Sequence, residues 1–434
     1  MSEGEGDGAG RASLAVELRT ALGNLFFKAV SLPLEKICRL ALVVLSARLI
    51  GQAAFGRFQF ATTVTLLLAL GTDLGLGLWT TRALARSRAE AARVVGTGLW
   101  VRRWASLPYA LVTAVVALAV GPGDTRAAML LLGVASLVSA FVDHYGAVFR
   151  GYERFADETR LNAVRGVLAL AGGMAGLAAQ RSVVGLAAGV ALGTVLSGIY
   201  GSWLLRARYQ LPTPFDRAVH DRALARAAAR EALPIWLASV LSMLYFRGDT
   251  VLLRLFSGDA ELGAYSAAFK MFEGAALLPA IVLAAAFPAL ARAHGDRERQ
   301  RRWERLLAGV LLAAGLAVAA IFHFGRALII DLVYGAAFAR AVPSLGVLAL
   351  GLPLMYLNYG LTHFLIARNL EQRNLLFAGL MLVLNVAVNL AAIPRLGGPG
   401  AAWATVATEA ALTVCCLLTL RPERAAASKA RTPG

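Results

Sequence analysis

Twelve apolar runs long enough to cross a bilayer follow one another through the chain. They lie at about 23–49, 55–78, 97–121, 127–149, 161–180, 183–205, 231–256, 262–291, 304–325, 341–366, 374–393 and 399–420. One crossing needs about 20 predominantly apolar residues, and in lipid every backbone N–H and C=O must be satisfied inside the protein. A chain written this way folds as an all-α polytopic membrane protein. Hydrophobic residues make up 58% of it and charged ones only 16%, against about 25% charged in soluble globular proteins. Cys38, Cys415 and Cys416 all sit in apolar runs, so no disulfide framework is implied. Residues 1–22 are polar, with Glu3, Glu5 and Asp7 ahead of any apolar run. They lack the basic start and short apolar core of a cleavable signal peptide.

The polar connections carry the orientation. The net charge of +17 is dispersed among the apolar runs, a distribution suited to anionic lipid and to membrane orientation rather than to nucleic acid. With the N-terminus inside, the tails and the loops at 79–96, 150–160, 206–230, 292–305 and 368–373 hold 27 Arg and Lys. The opposite side holds five: Arg126, Arg181, Arg326, Arg340 and Arg395. Short basic loops stay cytoplasmic, so both termini are expected inside.

An internal repeat divides the chain. ARLIGQAAFGRFQFATT at 47–63 resembles LRLFSGDAELGAYSAAFK at 253–270, each reading Arg-Leu, then Gly-x-aromatic, then Ala (Arg48, Gly56, Phe58, Ala61; Arg254, Gly263, Tyr265, Ala268). RGYERF at 150–155 returns as RNLEQR at 368–373, and LAAQR at 177–181 as LAAIPR at 390–395. Three matches in one order predict two pseudo-symmetric six-helix lobes in parallel orientation, at 23–205 and 231–420. A basic cytoplasmic linker at 206–230 would join them, with tails at 1–22 and 421–434. A two-lobed transporter with a central site follows.

Charges inside the spans nominate the site. Lys28, Arg48, Arg57, Arg102, Arg103, Arg165 and Arg254 lie near span ends and read as anchors that snorkel to the interface. Lys36, Arg39, Arg247 and Lys270 lie deeper, as do Glu35, Asp73, Asp143, Asp249, Glu273 and Glu409. An ionised group facing lipid costs several kcal/mol, so each needs a partner or a wet cavity. Glu35–Arg39 and Lys270–Glu273 are spaced to meet on one helix face. Such pairs either neutralise themselves or line a cavity for a charged substrate. Arg39, Arg247 and Lys270 fall at similar depths in both halves, which favours the cavity. Asn358, Asn385 and Asn389 read as interhelical hydrogen-bonding groups, and His144, His323 and His363 as structural. Pro33, Pro234, Pro279 and Pro353 interrupt spans and are placed to kink them.

No lysine follows a glycine, so the phosphate-binding loop of an ATPase is missing, and neither HExxH nor GxSxG occurs. Nothing points to a cofactor, a metal site or an enzyme.

Four stretches resemble one family. ARLIGQAAFGRF (47–58), DLGLGLWTTRALAR (73–86), RGDTVLLRLFSGDAELGAYSAAFK (247–270) and LNVAVNLAAIPRLGGPGAAWAT (384–405) are similar to motifs of the multidrug/oligosaccharidyl-lipid/polysaccharide (MOP) flippase superfamily, in its polysaccharide-transporter branch. The resemblance implies two six-helix lobes that open alternately inward and outward around a basic cavity for a polyprenyl diphosphate. Arg247 and Asp249 match by motif; Arg39 and Lys270 are cavity candidates from depth and charge. The implied cargo is a polyprenyl-diphosphate-linked oligosaccharide for O-antigen, capsule or exopolysaccharide assembly at a bacterial plasma membrane. Glu35, Asp73, Asp249, Glu273 and Glu409 stand as charge partners or as sites for a coupling sodium ion or proton. Polysaccharide polymerase and glycosyltransferases are candidate partners, beside membrane lipids. Two rival readings stay open: a cation-coupled multidrug exporter of the same superfamily, and a non-transporting scaffold for polysaccharide enzymes.

Overall fold

Alternation of apolar runs with short polar turns leaves the backbone one solution in lipid, and a computed structural model shows it. The structure describes residues 34–120, 123–216, 220–292, 297–368 and 370–420. The expected tails at 1–22 and 421–434, with Lys28 and Pro33, lie outside these residues. Regular structure among the described residues is helical throughout. The helices are α1 (34–50), α2 (Gln52–Asp73), α3 (Leu76–Arg86), α4 (Ala91–Ala119), α5 (Asp124–Gly151), α6 (Phe155–Ala179), α7 (Val183–Tyr209), α8 (Arg222–Ala275), α9 (Leu277–Arg292), α10 (Arg297–Tyr334), α11 (Ala341–Ala367), α12 (Glu371–Leu396) and α13 (Gly398–Leu420).

Nine helical segments among the described residues are long and apolar enough to cross a membrane. One of them, Trp236–Leu283, contains parts of two expected spans, which meet at Gly258 inside α8. There the backbone leaves helical geometry at φ 81° and ψ 179°, a conformation open to glycine because it lacks a Cβ. Arg254 and Asp259 pair across the break (Nε–Oδ1 2.7 Å). Helix α1 is described over residues 34–50, and α4 carries Arg102 and Arg103 within its length.

Two compact units divide the chain. The first comprises Met1–Ile50 and Phe60–Val240, the second Gly51–Gln59 and Leu241–Gly434. Helices α2 and α8 therefore each contribute to both. In the first unit Leu76, Trp79, Val95, Leu99, Tyr145, Phe149 and Leu205 form a buried core. In the second, Leu307, Leu361, Phe364, Leu365 and Phe377 do so. Elsewhere large apolar side chains point outward, as with Leu316, Ile321, Phe324, Leu328 and Leu332 on α10. Such a face belongs against lipid, where helix association rests on close packing rather than on the exclusion of water.

Small residues supply that packing. In the first unit α6 and α7 touch backbone to backbone: a Cβ at Gly172 would lie 2.3 Å from the Gly189 carbonyl oxygen, and one at Gly176 2.0 Å from that of Gly185. In the second unit the repeated Gly-x-aromatic motifs meet each other. A Cβ at Gly56 would lie 1.8 Å from the Asp259 carbonyl oxygen, and one at Gly263 2.0 Å from that of Gln52. Each glycine faces the residue four positions before the other, so the crossing is reciprocal. The aromatic and alanine positions, Phe58 and Tyr265 with Ala61 and Ala268, are buried as well.

Gly56→Ala is therefore expected to destabilise the protein by about 1–3 kcal/mol, the usual cost of overpacking, and Gly56→Leu to leave little folded protein. Gly379→Ala, where a Cβ meets no atom within 4 Å, should behave as wild type. Thermal unfolding in detergent checks both; equal midpoints for Gly56→Ala and Gly379→Ala would contradict the crossing.

Candidate functional site

The charges that the spans carry gather into clusters, two in the first unit and two in the second. On α1 the Arg39 guanidinium donates to Glu35 Oε1 (3.0 Å), as their spacing predicts. Arg165 on α6 donates to the same oxygen (2.7 Å) and to Asp143 Oδ1 on α5 (2.5 Å). Two cations and two carboxylates thus offset one another. Arg39 is 70% exposed while Glu35 is 14% exposed, so Arg39 presents free donors at the edge of a satisfied network. The anchor reading of Arg165 is corrected here: its side chain is 15% exposed and held between two acids. Helix α6 comes close enough because Gly166 lies under α1, where a Cβ would stand 3.2 Å from Glu35 Cα.

The second cluster corrects the anchor reading of Arg102, which is buried. It donates to Asp73 Oδ1 and to the Ala140 carbonyl oxygen. Asp73 also accepts from the Gly75 N–H (3.2 Å) through its other oxygen, at the left-handed turn between α2 and α3 (Leu74 φ 47°, Gly75 φ 74°). His144 is fully buried beside Gly98.

In the second unit two of the three cavity candidates share one carboxylate. Arg247 on α8 donates to Glu273 Oε1 (2.6 Å) and Lys270 to Glu273 Oε2 (2.7 Å). Arg247 also stands 5.9 Å from the centre of the Phe269 ring, within reach of a cation–π contact. The Lys270–Glu273 pair is the one its spacing predicts. Arg247 joins it from 26 residues upstream. Two positive charges on one negative leave a net charge of +1 among apolar helices, an arrangement that can bind an anion without any covalent chemistry.

The same unit also holds acids whose hydrogen-bond donors are neutral groups. Asp249 is buried; its Oδ2 accepts from the Tyr265 hydroxyl and its Oδ1 from the Thr250 N–H (2.7 Å). Glu409 on α13, also buried, accepts from Asn358 Nδ2 on α11 (2.7 Å) and from the Tyr245 hydroxyl on α8 (3.3 Å). Asn385 donates to Thr408 (3.3 Å) and Asn389 to Asn385 (2.8 Å). Asn358 and Asn385 thus bridge helices as expected of buried amides. The tyrosine partners were not legible beforehand, although Tyr265 is the repeat's own aromatic position. Among the described residues no group of three or more His, Cys, Asp or Glu is placed to hold a metal ion.

Helical units of this size with ionised clusters inside apolar spans define a polytopic membrane protein, and comparison gives its relatives. The family model for polysaccharide biosynthesis proteins matches residues 22–294. The chain belongs to that family. Solved structures share its fold. An inward-facing multidrug resistance MATE family transporter of the MOP superfamily aligns with a TM-score of 0.72 at 17% identity, over 92% of this chain and 96% of that one. The lipid II flippase MurJ, inward closed, aligns with a TM-score of 0.76 at 13% identity, over 92% of this chain and 87% of that one. A MOP superfamily transporter from Pyrococcus furiosus aligns with a TM-score of 0.61 at 16% identity, over 91% and 94%. No curated protein matches the sequence. The fold is thus that of the MOP superfamily, as the sequence motifs implied.

Proposed function

We propose that the protein is a flippase that moves a polyprenyl-diphosphate-linked oligosaccharide from the inner to the outer leaflet of a bacterial plasma membrane by alternating access. The product would feed O-antigen, capsule or exopolysaccharide assembly. The observation that carries this reading is the cluster of Arg247, Lys270 and Glu273, whose net positive charge suits a diphosphate. Arg39 is proposed as a further head-group contact. Family membership and the shared fold with the lipid II flippase support the cargo class. Polysaccharide polymerase and glycosyltransferases would act before and after transport. Deleting the gene is expected to trap lipid-linked oligosaccharide in the inner leaflet; unchanged surface polysaccharide in the deletion strain would contradict the proposal.

A second reading, cation-coupled drug export, is favoured by Asp249 and Glu409, carboxylates buried among hydroxyl and amide groups. Within the flippase reading the same two acids are the candidates for carrying a coupling sodium ion or proton. Glu35, Asp73 and Glu273 are proposed as charge partners, because Arg39 and Arg165, Arg102, and Arg247 and Lys270 respectively pair with them.

A further inference from the structure

The first unit contains a cavity of about 250 Å³ that none of the charge clusters uses. It is lined by Trp100, Arg103 and Trp104 of α4 and by Thr213, Asp216 and His220 of the connection between α7 and α8. Ligand pockets for drug-sized molecules run from about 300 Å³ upward, so this one is of a size for a single head group.

Its walls are fixed before any ligand arrives. The His220 ring lies flat on Trp100, centroids 4.8 Å apart and planes 2° apart. Next to His220, Asp221 caps the start of α8 by accepting from the N–H groups of Ala223 (2.7 Å) and Leu224 (3.1 Å). It also pairs with Arg93 at the start of α4. Asp216 accepts from the N–H (2.8 Å) and hydroxyl (2.9 Å) of Thr213 and from Arg206 (2.6 Å). The Thr213 N–H and then Arg206 hold its carboxyl below the usual range, so Asp216 is ionised and Arg206 offsets its charge. Among the described residues Arg103 joins none of the ion pairs of its neighbours and is the cation that lines the cavity.

The surroundings identify the ligand. From Trp104 onward, Leu107, Leu111, Val115 and Leu118 are all exposed on α4, and their spacing of three and four puts them on one helix face. The stripe begins at the cavity and runs toward the far end of α4. The cavity lies in the first half of α4, at the start of the apolar run expected at 97–121, and against residues of the basic connection at 206–230, the side that charge bias assigns to the cytoplasm. Tryptophans lie at head-group depth in membrane proteins, and basic pockets between helices on that side bind anionic head groups.

We infer that this cavity is a lipid site: it takes the phosphate-bearing head group of an anionic phospholipid of the cytoplasmic leaflet, at Arg103, His220 and Thr213, with an acyl chain along Leu107, Leu111, Val115 and Leu118. Such a lipid would tie Thr213 and His220 to α4.

Native mass spectrometry of the full chain in detergent, titrated with phosphatidylglycerol, phosphatidylcholine, polyprenyl monophosphate or inorganic phosphate, tests this. Phosphatidylglycerol is expected to be retained at least tenfold more tightly than phosphatidylcholine. Arg103→Gln is expected to remove that preference and Arg103→Lys to restore part of it, while Arg126→Gln, at the other end of the bundle, leaves it unchanged. His220→Gln, which leaves α4 intact, gives an independent reading should Arg103→Gln fail to fold, with retention weakened two- to fivefold. Equal retention by wild type, Arg103→Gln and His220→Gln overturns the site. Inorganic phosphate binding as tightly as the phospholipid overturns its assignment to a lipid. Polyprenyl monophosphate displacing phosphatidylglycerol overturns the assignment to a bulk phospholipid.

Discussion

Replacing both Arg247 and Lys270 by Gln is expected to lower the apparent affinity for the lipid-linked substrate more than a hundredfold and to abolish complementation of a deletion strain. Each cation can give a diphosphate a charge-assisted hydrogen bond, which contributes about 1.5–3 kcal/mol, or roughly tenfold and upward when lost singly. The double variant loses more than two bonds, because both cations rest on Glu273. With them gone the three groups change from two positive charges and one negative to the Glu273 carboxylate alone, which then repels the anion. Adding Glu273→Gln to the double variant should recover part of the loss by removing that repulsion. Arg39→Gln is expected to cost only a few-fold, since its exposed guanidinium is screened and Arg165 still satisfies Glu35. Arg48→Gln and Arg57→Gln should matter least. Normal polysaccharide from the double variant at equal expression would return Arg247 and Lys270 to the role of self-neutralising structural charges.

Flipping is expected to accelerate under an inside-negative potential, inside being the cytoplasmic side. No sequence motif supplies nucleotide hydrolysis, so the energy must come from the potential, an ion gradient or removal of the product. A diphosphate diester carries about two negative charges, and each is worth about 2.3 kcal/mol per 100 mV. Outward movement of that anion runs downhill when the interior is negative, by about 4–5 kcal/mol per 100 mV, unless the protein's own charges move with it. Arg247 and Lys270 are tethered to Glu273, which limits how far their charge can travel. If Asp249 or Glu409 returns a cation inward in the same cycle, the coupling grows stronger.

How much of this was legible in the sequence depends on the range of the interaction. Bilayer thickness fixes the length of an apolar run, so the spans could be read directly. Their ends could not: α10 is already helical at Arg297, ahead of the apolar run expected from 304, because Arg and Glu are good helix formers, and pairs such as Glu298–Arg302 (2.5 Å) carry the helix on past the apolar residues. Local pairs, Glu35–Arg39 and Lys270–Glu273, followed from spacing on one helix. Contacts between helices did not. Arg247 reaches Glu273 only across the break at Gly258, whose effect depends on one positive φ. Arg102 and Arg165 sat where snorkelling was open to them, and carboxylates on neighbouring helices competed better than the interface. One signal did exist: the first half places Glu35, Asp73 and Asp143 deep in its spans against Arg39 and Lys36 as deep cations, so further bases had to turn inward. The repeat was visible as a pattern, but its cause, two glycines crossing each other, needed coordinates.

The most direct test of the account is transport by the purified protein in vesicles loaded with a fluorescent polyprenyl-diphosphate oligosaccharide, with access to an impermeant sugar-modifying reagent as the readout. The account predicts protein-dependent movement between leaflets, faster under an imposed inside-negative potential even without a sodium or proton gradient, and lost in the Arg247→Gln/Lys270→Gln variant. Movement no faster than in protein-free vesicles would contradict it and favour the scaffold. A rate indifferent to potential but abolished by removing one ion gradient would contradict the electrogenic cycle and assign the coupling to the buried acids.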